Sequence, residues 1–194
     1  VVVHGATVLS IFFVFWKDIY QLIKEAFTFK WNTTNQYTLK ILLSMLPVAL
    51  VGFLFKEEVE SLFTGNLVLV GSMLLITALL LAFTYFFKAK ERKVGFLHSL
   101  VIGVSQALAV LPGISRSGAT ISTALLLGIK REEATRFSFL MVIIPILGAN
   151  AKNLLDAEVA NAGMSTGIPI LLIGFFAAFF SGLLACRWMI KIVN

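Results

Sequence analysis

Long apolar runs without charged side chains dominate the sequence, and they constrain the fold more than any other feature. Asn66 to Phe87 covers 22 residues and Gly167 to Cys186 covers 20. A helix rises about 1.5 Å per residue, so about 20 apolar residues cross a hydrocarbon core roughly 30 Å thick. Both runs are therefore predicted to be transmembrane helices, in a chain that is 59% hydrophobic and 13% charged.

Three further apolar segments extend this pattern along the chain. Thr38 to Phe55 is interrupted only by Lys40 and by Pro47, which a bundled membrane helix tolerates. Phe137 to Ala151 and Val1 to Trp16 are also predicted spans. The sequence therefore predicts an all-α fold, a polytopic helical bundle that forms a single integral membrane domain over residues 1–194.

The basic residues mark the ends of the predicted spans. The segment "KEEVES" at 56–61 is acidic, whereas "KAKERK" at 88–93 is basic, which predicts that the second lies in the cytoplasm and the first outside. The net charge of +6 then faces anionic membrane lipid, and no nucleic-acid partner is expected. The glutamates of 56–61 are interpreted as a solvated turn, with a catalytic carboxylate cluster as the alternative.

The segment from Trp16 to Trp31 has the pattern of a helix that lies along the membrane surface. Tyr20, Ile23 and Phe27 recur at helical spacing, while lysines occupy the other faces. An ordinary polar connection with incidental aromatic residues is the alternative. The lone cysteine, Cys186, has no partner for a disulfide and is interpreted as a packing residue.

Residues 96–129 contain two apolar arms, neither of which reaches the length of a span. Phe96 to Val110 and Ala119 to Ile129 flank a polar centre, Pro112 to Gly118. A single broken crossing would place basic Arg187 and Lys191 outside the cell. A re-entrant pair of half-helices keeps them inside and is the interpretation preferred here. Irregular backbone at membrane depth survives only where protein or a watery cavity satisfies it, so the turn is expected to line a site.

The residues of this turn are suited to an anion. Pro112 ends the first half-helix, and Gly113 permits a tight reversal. Ser115 and Ser117 supply hydroxyls, and a helix beginning near Gly118 directs its free N–H groups back at the turn. Arg116 adds a fixed charge with a forked donor geometry that matches phosphate.

A simpler explanation of the same turn also exists. In it, the two serines serve only as helix caps, and Arg116 reaches a lipid headgroup or a glutamate. An arginine within a membrane segment costs at least about 2.5–3.5 kcal/mol on insertion scales, which favours a dedicated anionic partner. The coincidence of proline, glycine, serines and arginine between two half-helices therefore favours an anion site.

The segment "QALAVLPGISRSGATI", Gln106 to Ile121, resembles the signature P-G-x-S-R-S-x-x-T of the undecaprenyl-diphosphate phosphatases of the bacitracin-resistance type. The segment "EEATRFSFLMVIIPILGA" at 132–149 is similar to the helix that follows the signature in that family. The resemblance extends more loosely to the whole chain.

The resemblance implies a multi-pass enzyme of the bacterial plasma membrane that hydrolyses C55 isoprenyl diphosphate to the monophosphate and phosphate, renewing the lipid carrier of cell-wall synthesis. It implies a fold of inverted repeats, each with a re-entrant helix pair. By carry-over, Arg116 binds the diphosphate and Ser115, Ser117 and Thr120 donate to its oxygens. The turn residues Pro112, Gly113 and Gly118, with Gln106, are expected to line the substrate site. A divalent metal, Mg or Ca, is implied as cofactor, and a homodimer is left open.

The chain also departs from the family pattern. An amino-terminal re-entrant segment with two glutamates four residues apart and a serine-rich turn ending in histidine is not visible, and a last apolar helix is expected beyond Asn194. No metal-ligand cluster is visible in the sequence either. His4 does not match the motif histidine, and both His4 and His98 are interpreted as packing or interface residues.

Two other functions remain as alternatives to the phosphatase. A transporter or lipid-carrier translocase would use the same broken-helix anion site without chemistry. A structural membrane subunit is disfavoured, because it would leave Arg116 without a purpose.

Overall fold

The computed structural model describes residues 2–26, 31–63, 65–87, 91–155 and 168–193, and every regular element in these ranges is an α-helix. Two compact units are present, Val1–Phe29 with Phe139–Asn194, and Lys30–Ser138. The helices of the first unit are α1 (Val2–Val14), α2 (Trp16–Ala26) and α9 (Ile168–Val193). Those of the second are α3 (Thr33–Leu54), α4 (Lys56–Ser61), α5 (Leu67–Phe86), α6 (Phe96–Leu108) and α7 (Arg116–Leu126). Helix α8 (Arg131–Leu155) begins in the second unit and continues in the first.

Three of the helices in the described ranges are long and apolar enough to cross a membrane, which confirms the predicted all-α, polytopic membrane architecture. They are Thr33–Leu54, Leu67–Phe86 and Pro169–Lys191, at three of the predicted spans. Helices α1 and α2 qualify only as one bent pair. The span predicted at 137–151 lies within α8, which is not among the three, and it stays a prediction.

In the first unit, α1 packs along α9 through small residues. A methyl group added to Gly182 would lie 2.6 Å from Oγ of Ser10, so the helices approach closely at this point. The rings of Phe13 and Phe179 meet edge to face beside the contact, 6.4 Å apart. Close approach through glycine and serine is typical of helix pairs in lipid, where van der Waals packing has to hold helices together.

Helix α2 leaves α1 at an angle of 81°. Phe15 and Ile19 are buried at the bend, whereas Trp16 and Tyr20 are exposed. Apolar and aromatic side chains outside the core, together with lysines, are typical of a helix that lies along a membrane surface. The helical part of that prediction is confirmed over Trp16–Ala26, and Phe27 lies outside the described residues.

In the second unit, α3 packs against α6. The two backbones touch at Gly103, where an added methyl group would overlap the carbonyl group of Ser44. At the start of α6, the ring centre of Phe96 lies 5.3 Å from the ammonium group of Lys40 on α3. Glycine at position 103 is thus required by the close approach of the two helices.

His98 has a specific role at the start of α6. Its Nδ1 accepts a hydrogen bond of 3.1 Å from the backbone N–H of Gly95, the residue that precedes the helix. A side chain at the third helical position that bonds back to the capping residue is half of a capping box. His98 therefore caps α6, a role more specific than the packing role predicted; the side chain of His4 is outside the described part.

Two predicted connections differ from expectation or extend beyond the described residues. The segment 56–61, expected to be a turn, forms the short helix α4, and Glu57 and Glu58 are exposed on it. Acidic residues in the first turn of a helix are favoured by the helix dipole, and Glu57 and Glu58 occupy that turn. The sequence predicts an acidic-leaning loop from Lys152 to Glu158, but residues 152–155 belong to helix α8, and residues 156–158 lie outside the described residues.

Helices α6 and α7 form a hairpin, as predicted for the half-helices of 96–129. Oγ1 of Thr123 donates to Oγ of Ser105 across the pair, at 2.9 Å. The two ends of the hairpin also meet, because the N–H of Lys130 donates to the carbonyl oxygen of Arg92 at 3.0 Å. The chain thus returns to the place from which it left, as a re-entrant pair must.

Candidate active site

The turn between α6 and α7 is closed by Pro112 and Gly113. Pro112 is buried, and Gly113 has a φ of 96°, in the region that side chains rarely adopt. A methyl group on Gly113 would also lie 2.5 Å from the carbonyl oxygen of Val70 on α5. Glycine is therefore required here by both the backbone angle and the neighbouring helix.

One face of α5 supports the whole turn. Val70 and Met73 contact Gly113, and Thr77, one turn further along, contacts Ser115 and Gly118. These α5 residues recur at spacings of three and four, so they share one face of the helix. The turn is thus held against a long apolar helix whose other faces are largely exposed.

Ser115 is the N-terminal cap of α7. Its Oγ accepts a hydrogen bond of 3.2 Å from the N–H of Gly118, and its carbonyl oxygen accepts the N–H of Ala119 at 2.8 Å. Accepting through Oγ leaves the hydroxyl proton of Ser115 available to another acceptor. Gly118 fits tightly here, because an added methyl would lie 3.0 Å from Cγ2 of Thr77.

The cap leaves several donors of the first helical turn without an acceptor. The first N–H groups of a helix have no partner inside it. Within the described residues, none accepts from the backbone N–H of Arg116 or Ser117, and none forms an ion pair with the Arg116 guanidinium. The side chain of Arg116 is partly buried, and that of Ser117 is exposed. The site therefore presents positive charge and hydrogen-bond donors, which together suit an anion.

Thr120 is buried one turn further along the same helix. Its hydroxyl donates to the carbonyl oxygen of Arg116 at 3.0 Å, with that of Ser117 at 3.3 Å as a second acceptor. The side chain is 1% exposed. Its proton is committed to the backbone of the turn, so in this conformation Thr120 supports Arg116 and Ser117 from within.

Gln106 lies on the buried stripe of α6 that also carries Gly103 and packs against α3. Its side chain is 1% exposed, and neither Oε1 nor Nε2 has a hydrogen-bond partner within the described structure. A buried amide without partners is destabilising by about 1–3 kcal/mol. Gln106 is therefore a polar group that needs a partner, although no hydrogen bond among the described residues joins it to the turn.

The donor set at the turn does not fit a metal ion. Divalent magnesium and calcium take oxygen ligands, chiefly carboxylates and carbonyls. The turn instead offers a guanidinium, backbone N–H groups and hydroxyls. No group of three or more His, Cys, Asp or Glu side chains that could hold a metal occurs within the described ranges. No step of the chemistry is therefore assigned to a metal at this turn.

Sequence comparison identifies the family of the chain that carries this turn. The profile of the bacitracin resistance protein BacA matches residues 1–194. The chain belongs to this family. The undecaprenyl-diphosphatase of Christiangramia forsetii is 52% identical over 194 residues, which cover all of this chain and 73% of that protein.

More distant relatives carry the same name. The undecaprenyl-diphosphatase of Bacteroides fragilis strain YCH46 is 47% identical over 199 residues, covering all of this chain and 74% of that protein. The undecaprenyl-diphosphatase of Methanosphaera stadtmanae is 32% identical over 211 residues, covering 100% of this chain and 75% of that protein. The BacA family resemblance inferred from the signature at 112–120 is thus confirmed.

The structure brings together most of the residues singled out from the sequence. Six of them surround one turn at the start of α7: Pro112, Gly113, Ser115, Arg116, Ser117 and Gly118. Thr120 lies within the helix, and Gln106 lies on the stripe facing α3. The roles of all eight residues toward a substrate stay predictions. The supporting face of α5 was not predicted, because its sequence signal is a single threonine, Thr77, within an apolar run.

Proposed function

We propose that this chain is an undecaprenyl-diphosphatase that binds the diphosphate of its lipid substrate at the turn between α6 and α7. The observation that carries the proposal is the cluster of unpaired donors at the start of α7, within a chain of the BacA family. The reaction is the hydrolysis of a membrane lipid diphosphate. Water forms a bond to the terminal phosphorus, the bridging P–O bond breaks, and the products are undecaprenyl phosphate and inorganic phosphate.

The donors at the turn match the charge of such a substrate. Phosphate oxygens accept two parallel hydrogen bonds from a guanidinium, which is the geometry that Arg116 provides. The N–H groups of Arg116 and Ser117 add donors with the positive end of the helix dipole behind them. Donors fixed before the reaction stabilise the charge that develops on the bridging oxygen as it leaves.

The hydroxyls divide into two groups in the proposed site. Ser115 and Ser117 are exposed, so each can donate its proton to a phosphate oxygen. Thr120 acts indirectly, because its hydroxyl bonds to the carbonyl groups of Arg116 and Ser117 in the first helical turn. Gln106 is proposed as a further substrate ligand, because its buried amide lacks any other partner in the described structure.

The wider setting of the proposed enzyme follows from its substrate. A lipid with a C55 chain has to reach the site from the bilayer, and three of the described helices are long enough to span it. We place the protein in the bacterial plasma membrane as a multi-pass enzyme in contact with membrane lipid. The homodimer and the requirement for Mg or Ca inferred from the family resemblance also stay predictions.

Phosphate release from undecaprenyl diphosphate tests the proposal directly. Purified full-length protein in detergent is expected to release one phosphate per lipid and to leave undecaprenyl phosphate, which mass spectrometry identifies. Assays with and without a chelator test the metal requirement, and loss of turnover on chelation is expected. Binding of the lipid without phosphate release, with and without added Mg or Ca, would favour the lipid-carrier translocase instead.

A further inference from the structure

Helix α5 has a single buried position, and that position carries a hydroxyl. Of its 20 described residues, Thr77 alone is buried, with 5% of its surface exposed. Apolar neighbours such as Leu75 and Leu79 are more than half exposed. A membrane helix that faces lipid on almost every side has no general need for a buried polar side chain, so Thr77 requires its own explanation.

The hydroxyl of Thr77 joins α5 to the turn. It accepts a hydrogen bond of 3.2 Å from the N–H of Ser115, 38 residues away in the sequence. It donates its own proton to the carbonyl oxygen of Met73, at 3.1 Å. The second bond fixes the direction of the hydroxyl, which leaves its lone pairs toward the turn.

Ser115 is the point from which α7 takes its direction. Its N–H lies outside the helix, so no helical hydrogen bond can satisfy it. Its side chain and carbonyl group cap the helix, and Arg116 follows immediately. A partner that fixes this one N–H therefore fixes the origin of the helix and the placement of the donors that follow.

We propose that Thr77 is a positioning residue, whose hydroxyl holds the backbone of Ser115 so that the Arg116 guanidinium and the first N–H groups of α7 point to one phosphate site. The inference rests on the proposed function of the turn and adds a residue outside the signature. Thr77 does not touch the substrate; it acts through Ser115.

The methyl group of Thr77 contributes separately. A methyl group added to Gly118 would lie 3.0 Å from Cγ2 of Thr77. The methyl group of Thr77 therefore packs closely on the first turn of α7. The hydroxyl and the methyl can be separated by substitution. Thr77→Val keeps the shape and loses the hydrogen bond, whereas Thr77→Ser keeps the hydroxyl and loses the methyl.

Steady-state phosphate release by full-length variants tests the inference. We expect Thr77→Val to lower kcat about tenfold, because the N–H of Ser115 loses its acceptor and the donors are misplaced in the transition state. KM is expected to change less than about threefold, because ground-state binding depends less on exact placement. Thr77→Ser is expected to restore kcat to within about twofold of the native value.

Thr84 supplies the matched control on the same helix. Its hydroxyl also donates to a backbone carbonyl of α5, that of Leu81 at 2.6 Å, and none of the described turn residues donates to it. Thr84→Val therefore removes a comparable hydroxyl without touching the turn. Its kcat is expected to stay within about twofold of the native value.

The outcomes decide between positioning and packing. Unchanged kcat in Thr77→Val, with Arg116→Lys still impaired, would overturn the inference and leave the phosphate site standing. Normal turnover in both Thr77→Val and Arg116→Lys would contradict the proposed phosphate site itself. A loss of kcat in Thr77→Ser, with normal kcat in Thr77→Val, would assign the effect to the methyl contact and overturn the inference. If Thr77→Val does not fold, Thr77→Ala replaces it, and failure of both to fold would make the hydroxyl structural and overturn the inference.

Discussion

Helices α7 and α9 show opposite relations between composition and burial. Helix α7 has 11 residues, of which six are buried, and five of these are small: Gly118, Ala119, Thr120, Ser122 and Ala124. Helix α9 has 26 residues rich in Phe, Leu and Ile, yet Cys186 alone is buried among its described side chains. In lipid, large apolar side chains gain nothing by leaving the surface, and small residues let helices approach. The buried helix is therefore the less apolar one, and it is the one that carries the candidate site.

The close packing of the hairpin is expected to be its most sensitive property. Gly113→Ala would strain a backbone at positive φ, at about 1–2 kcal/mol, and crowd Val70, at about 1–3 kcal/mol. We therefore expect a loss of about 2–5 kcal/mol in stability and a large fall in phosphate release. Thermal unfolding in detergent and the phosphate assay measure the two effects.

Gly71→Ala is the control for that substitution. Gly71 lies on α5 close to the supporting face, but a methyl group added there meets nothing within 4 Å. We expect no loss of stability and unchanged turnover. Equal effects of the two substitutions would break the distinction between a packed hairpin and helices that face lipid.

A smaller effect is expected from the cap of α7. Ser115→Ala removes the acceptor of the Gly118 N–H, and loss of an N-cap costs about 0.5–2 kcal/mol. The midpoint temperature of thermal unfolding should fall accordingly. Ser72→Ala on α5 serves as the control, because that hydroxyl is exposed and bonds only to its own helix, at the carbonyl of Val68. A loss in Ser72→Ala as large as that in Ser115→Ala would contradict the role of the cap.

The sequence predicted the helical spans and the hairpin from physical properties that act locally. Lack of charge over 20 residues or more predicts a span at Asn66 to Phe87 whatever its neighbours are. The two short arms around Pro112 predicted the hairpin for the same reason, since neither arm can cross alone. Proline and glycine at 112–113 then predicted the turn, whereas capping by Ser115 was only the simpler alternative to an anion site.

The contacts between helices were not predictable in the same way. Thr77 and Ser115 are 38 residues apart, and nothing in either segment shows that one accepts from the other. The approach of Gly103 to Ser44 depends likewise on how α3 and α6 cross. The role of Thr120 as a donor to the substrate stays a prediction, and in this structure its hydroxyl bonds to the helix backbone, a local alternative always open to threonine.

Phosphate release by Arg116→Lys in the full-length protein tests the central claim, that the turn holds the diphosphate through a forked, charged donor. Lysine keeps the charge but provides no planar pair of donors. The account predicts a fall in kcat/KM of more than about tenfold. The variant is expected to remain folded, with a thermal unfolding transition like that of the native protein. Turnover near the native value would contradict it, because the guanidinium would then not be the group that holds the phosphate.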